Sequence, residues 1–161
     1  MNRLLTIFIF IFQLVLTFVL MFCVYMVFAL LDYQSGIDGL VGLPLFQPVF
    51  ATIISIVTIS LCFVAGLPIR LHRGVREWWV RYYYIAIIGI VAGFVLLALS
   101  LLPQFQMTVL TDGQDVTKQI PNIGFVMTGW FILAFSTLHL FPPEIIIKKI
   151  KKVTNQYRRV D

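Results

Sequence analysis

Four long runs of apolar residues, separated by short polar stretches, set the pattern of this chain. The first extends from Leu4 to Leu31 without a charged residue, and the second from Leu45 to Leu67, just before Pro68. The third extends from Tyr83 to Leu102, before Pro103, and the fourth from Asn122 to Phe141, between Pro121 and the pair Pro142-Pro143. Each reaches the roughly 20 mostly apolar residues that a helix needs to cross hydrocarbon. Proline suits the ends of such helices because it lacks the amide hydrogen and clashes with the preceding turn. A β-barrel would need alternating strands of about ten residues, whereas these runs are continuous. The pattern predicts an all-α integral membrane fold of four transmembrane helices, forming one domain over residues 1–161 and ending in a basic tail over 142–161. The first run, at 1.5 Å per residue, would measure roughly 42 Å. That exceeds a hydrocarbon core of about 30 Å, so this helix is expected to tilt or protrude. It is also longer than a signal-peptide core and has no small-x-small cleavage site after it, which reads as an uncleaved signal anchor.

The basic residues predict the orientation. Eleven of the twelve Lys and Arg residues lie before the first run, between the second and third, or after the fourth. Only Lys118 falls in the other two loops, which hold Asp32, Asp38, Asp112 and Asp115. The positive-inside rule therefore places both termini in the cytoplasm.

Two loops have structure of their own. In the second outer loop, residues 104–110 and 116–120 partly alternate polar and apolar positions around the turn cluster Thr111-Asp112-Gly113-Gln114-Asp115. Alternation about an Asp-Gly turn predicts a small extracytoplasmic β-hairpin. An isolated hairpin is only marginally stable, so this one must rest on helix ends or on another chain. That makes Asp112, Gly113 and Asp115 candidate recognition residues. The inner loop carries Arg70, His72, Arg73, Arg76, Glu77, Trp78, Trp79 and Arg81. Arginine next to a membrane attracts anionic headgroups, and tryptophan prefers the headgroup level. If this loop is helical, Arg73, Glu77 and Arg81 share a face at i, i+4, i+8 spacing. The tail adds Lys148, Lys149, Lys151 and Lys152 opposite Ile146, Ile147, Ile150 and Val153, the pattern of an amphipathic helix on the inner leaflet. These basic and aromatic residues are the candidate lipid-headgroup contacts. A tail this rich in isoleucine and tied to a membrane span points to lipid rather than nucleic acid.

Composition narrows the function. The chain of 161 residues is 60% hydrophobic and 12% charged, with net charge +5. A water-soluble domain of this size cannot bury so much apolar surface, and a disordered chain needs the opposite composition. The central parts of the runs hold no Asp, Glu, Lys or Arg, which argues against a proton relay built from this chain. Two histidines, His72 and His139, lie at similar depth, and a haem could bridge them. Two histidines without further ligands or a local motif are a weak signal, so no cofactor is expected. Cys23 and Cys62 fall roughly 20 Å apart in depth by the helical rise, too far for a disulfide. No phosphate loop, nucleophile elbow or zinc motif is present, so no catalytic residue is assigned.

Small and hydroxyl residues mark the helix contacts. Thr52, Ser55 and Thr58 recur every three residues on the second run, Gln13 and Thr17 share a face of the first, and Ala86, Gly89 and Gly93 form a small-residue face on the third. Such faces let backbones approach closely and hydroxyls bond between helices. They serve either internal packing or contact with another chain. The resulting expectation is a non-catalytic accessory, regulatory or interaction protein, binding membrane lipids and either a protein partner or further copies of itself. The alternatives are an oligomeric transporter or channel for a neutral solute or lipid, using the Thr52/Ser55/Thr58 stripe, and a lipid-modifying enzyme using His72 and Arg73.

Overall fold

In hydrocarbon every backbone amide must find its partner within the chain, and helices do this residue by residue. The computed structural model, which describes residues 3–31, 43–110 and 117–141, is accordingly mostly helical. It contains α1 (Arg3–Leu31), α2 (Gln47–Ala65), α3 (Leu67–Leu71), α4 (Arg73–Arg81), α5 (Tyr84–Leu101), the strands β1 (Met107–Leu110) and β2 (Thr117–Ile120), and α6 (Ile123–Leu138). Three stretches, Ile7–Leu31, Leu43–Ala65 and Tyr84–Leu101, are helical, long and apolar enough to cross a membrane. This fits an all-α membrane fold. The tail with its four lysines, the turn with Asp112, Gly113 and Asp115, and most of the loop after α1 lie outside the described residues.

The second run departs slightly from its predicted end. Pro68 does not simply close α2. Its ring would clash with the carbonyl four residues back, so α2 stops at Ala65. After the single residue Gly66, Pro68 takes the first turn of α3, where its missing amide hydrogen costs nothing. After α3 the chain continues as the amphipathic helix α4, with no buried residue.

α6 is the hub, packing against α1, α2 and α5. Its 16 residues make it the shortest of the apolar helices, about 24 Å at 1.5 Å per residue. Small side chains explain its central position. On α6, Gly129 faces Gly93 of α5 so closely that a Cβ on Gly93 would lie 2.8 Å from the Leu133 Cβ and 3.0 Å from the Gly129 carbonyl oxygen. Gly89 abuts Ser136 and Ala86 is buried. The Ala86/Gly89/Gly93 face is thus covered by α6 of the same chain. The core joins Met21 and Val24 of α1, Ile59 and Cys62 of α2, Leu97 of α5, and Trp130, Leu133, Ala134 and Leu138 of α6. Cys62 is buried and Cys23 exposed, and neither is in a disulfide.

The hairpin pairs antiparallel, with Met107 opposite Ile120 and Leu110 opposite Thr117. It rests on helix ends. Phe105 meets Phe125 edge-on at 5.6 Å, Gln106 donates to the Leu101 carbonyl at 3.0 Å, and the Asn122 amide donates to Ser100 at 3.3 Å. Asn122 also caps α6, its side-chain oxygen accepting from the Phe125 amide at 3.2 Å.

Candidate functional site: a polar clamp at the basic end of the bundle

The last carbonyls of any helix lack partners within it and must be satisfied from outside. At the end of α6 three side chains from three other helices do so. The Arg70 guanidinium of α3 donates to the Leu138 carbonyl at 3.1 Å. The Trp79 indole of α4 donates to the His139 carbonyl at 2.8 Å, and the Gln13 amide of α1 donates to the Leu140 carbonyl at 2.6 Å. Turning these carbonyls outward ends α6 at Leu138 rather than at the predicted Phe141. A cation at a helix C-terminus is favoured by the macrodipole. Arg70 also stacks over Phe10 at 4.7 Å and lies near Phe63 and Phe141, a cation–π setting that tolerates a half-buried guanidinium. Burial lowers its pKa, and the neighbouring charge of Arg76 acts in the same direction; an arginine nonetheless keeps its proton.

His139 closes the clamp from within. It is fully buried, stacks on Phe135 with centroids 4.4 Å apart and meets Trp79 edge-on. Its Nδ1 lies 2.9 Å from the Phe135 carbonyl. A carbonyl only accepts, so the ring proton sits on Nδ1 and Nε2 carries the lone pair. Nε2 abuts Gly66, where a Cβ would overlap the ring. Neither nitrogen has an open coordination position in this packing, so a haem bridging His72 and His139 does not fit it. Among the described residues no group of three or more His, Cys, Asp or Glu is placed to hold a metal.

Several polar atoms of the clamp stay unpartnered among the described residues: Gln13 Oε1, Arg70 Nε and His139 Nε2. Among the described residues the clamp holds hydrogen-bond donors and acceptors and no carboxylate.

The remaining candidates divide between interior and surface. Thr58 is buried and accepts from the Trp130 indole at 2.9 Å, Thr52 bonds back to Pro48 at 2.8 Å, and Ser55 is buried with its hydroxyl unpartnered among the described residues. Thr17 is buried and bonds back to Gln13 at 2.7 Å. Of the headgroup candidates, Arg70 and Trp79 turn into the bundle. Arg73 and Arg81 are exposed, as is Trp78, while Arg76 is intermediate. Arg73 pairs with Glu77 at 2.9 Å, both side chains mostly exposed. That hydrogen bond and the carboxylate charge raise the Arg73 pKa. Gln13, Arg70 and Trp79 are the members that sequence reasoning missed as partners of the α6 end. The available signals were a lone glutamine in an apolar run and the arginine nearest the second run.

No family model, curated protein or solved structure matches this chain.

Proposed function

We propose that this chain is a multi-pass membrane protein of four spans, with both termini in the cytoplasm, and that it works as a non-catalytic accessory or binding subunit of a larger membrane assembly. The observation that carries the functional reading is the fate of its intramembrane polar groups. Gln13, Thr17, Ser55, Thr58, Thr137 and His139 are all buried, and most of them bond to carbonyls or side chains of the bundle itself. Two of these bonds, from Gln13 to the Leu140 carbonyl and from Trp130 to Thr58, join helices, and those of Thr17, Thr137 and His139 return to their own helix, so these polar groups are used within the bundle rather than offered to a solute or substrate. The surface left over is apolar along α1, α2 and α5, with the hairpin at one end and the basic helix α4 at the other.

Two features support the topology. Eleven of the twelve basic residues fall on one side of a four-span arrangement. The bonds from Arg70 and Trp79 to residues 138 and 139 also bring the end of α6 beside α3 and α4, as an even number of crossings requires. Although short, α6 has flanking residues at both ends, and a thin or locally thinned bilayer accommodates such a helix at modest cost.

Purification at native expression in mild detergent, followed by intact-complex mass, tests the functional reading. It predicts a stoichiometric second polypeptide. A pure homo-oligomer, or a monomer carrying only lipid, would contradict it and turn attention to flux and lipid-modification assays.

A further inference from the structure

Beyond the clamp, one surface of α5 combines features that belong to a single kind of ligand. The side of α5 facing α6 holds Ala86, Gly93, Leu97 and Ser100, all buried. Tyr84, Ile88, Val91 and Val95 follow at steps of four, three and four residues and so form one line on the opposite side. They are between 49% and 61% exposed. From Tyr84 to Val95 the line measures about 16 Å, close to half of a hydrocarbon core of about 30 Å. It therefore matches the depth of one leaflet.

The head of this line is aromatic and cationic. Trp78 of α4 packs against Tyr82 with tilted rings 5.3 Å apart, and Tyr82 meets Tyr84 edge-on at 5.8 Å. Arg81 stands three residues from Trp78, on the same side of α4. It is exposed and pairs with no carboxylate among the described residues. The rotation of α4 is fixed by the Trp79 bond to His139, so this side is not free to turn away. An unpaired arginine, an aromatic edge at headgroup level and an apolar line one leaflet deep follow one another in space.

We propose that Arg81, Trp78, Tyr82 and Tyr84 form the headgroup end, and Ile88, Val91 and Val95 the acyl end, of a binding site for one anionic phospholipid of the inner leaflet. The guanidinium matches a phosphate oxyanion in charge and in its forked donors, which a zwitterionic headgroup satisfies less well because its own cation competes. The site rests on the membrane topology proposed above, not on the identity of any protein partner.

The test uses the full chain reconstituted in phosphatidylcholine vesicles containing equal mole fractions of brominated phosphatidylglycerol or brominated phosphatidylcholine. Bromine quenches tryptophan on contact, and the difference between the wild type and W78F isolates the Trp78 signal. The expected result is that phosphatidylglycerol competes for the Trp78 site about fivefold better than phosphatidylcholine, the equivalent of about 1 kcal/mol for one arginine at an anionic surface. R81Q should abolish the preference. R76Q removes the same charge about 140° round the helix, at 100° per residue, and should leave most of the preference intact. Equal competition by the two lipids, or equal loss in R81Q and R76Q, would overturn the site and leave only a general basic field. Quenching by neither lipid would overturn it differently, showing that Trp78 lies away from the bilayer or under a protein partner; quenching by brominated phosphatidylcholine alone would confirm the membrane position and reject the anion site.

Discussion

Gly66→Ala tests the packing of the clamp in isolation from backbone effects. Gly66 has φ −88°, an ordinary value for any residue, so alanine meets no conformational strain there. By itself the change would stabilise by about 0.4–1 kcal/mol through the unfolded chain. Packing opposes it. The new methyl would overlap Nε2 and Cε1 of His139 and lie 2.9 Å from Cδ2. That ring is fully buried, stacked on Phe135 and bonded through Nδ1, so it cannot swing aside without losing those contacts. Overpacking of this kind costs about 1–3 kcal/mol, and the Nδ1 bond adds about 0.5–1.5 kcal/mol. The net expectation is a loss of about 0.5–4 kcal/mol. Unfolding by dodecyl sulfate in mixed micelles with a mild detergent, followed by tryptophan fluorescence, measures it. His139→Ala makes room for the methyl, so the double variant should recover part of the loss, with a coupling of about 0.5–3 kcal/mol. Wild-type stability of G66A, or strict additivity with H139A, would refute the contact.

Three further outcomes follow from the same packing. Thr58→Val leaves the buried Trp130 indole hydrogen without its acceptor and should cost about 0.6–2 kcal/mol, whereas Thr58→Ser keeps most of the stability; the mixed-micelle assay separates them. Gly93→Ala places a methyl against backbone atoms of α6 that cannot yield without parting the helices, and a loss of about 1–3 kcal/mol is expected in that assay. Arg70→Lys retains the charge but not the planar stack over Phe10, so it should unfold earlier than the wild type, while Arg73→Gln, on the exposed pair, should unfold with it.

Much of this fold is legible in the sequence because membrane helices answer to length and apolarity. The runs 4–31 and 83–102 match α1 and α5 within a residue at each end, and alternation about Asp112-Gly113 marks the hairpin. The small-residue face of Gly89 and Gly93 could be recognised, but not its occupant, since helix spacing does not say which neighbour fills it. The second and fourth helices each end a few residues before the apolar pattern does. Near Gly66 the cause is the local ring of Pro68, whereas at Leu138 bonds between residues 127, 68 and 60 positions apart decide where the chain turns. Such pairs depend on how four helices assemble, which local pattern does not encode. Likewise Arg70 and Trp79 resemble the other loop residues in sequence, and only the position of the α6 carbonyls draws them inward.

Whether the sixteen residues of α6 cross the membrane is the point on which the proposed four-span topology depends most directly. Single cysteines at Met107, Gly74 and Thr154, in a background with Cys23 and Cys62 replaced by alanine, can be labelled with an impermeant maleimide before and after permeabilisation of intact cells. The four-span arrangement predicts labelling of position 107 from outside, and of 74 and 154 only after permeabilisation. Labelling of 154 from outside together with 107 would mean that α6 does not cross, and would contradict it.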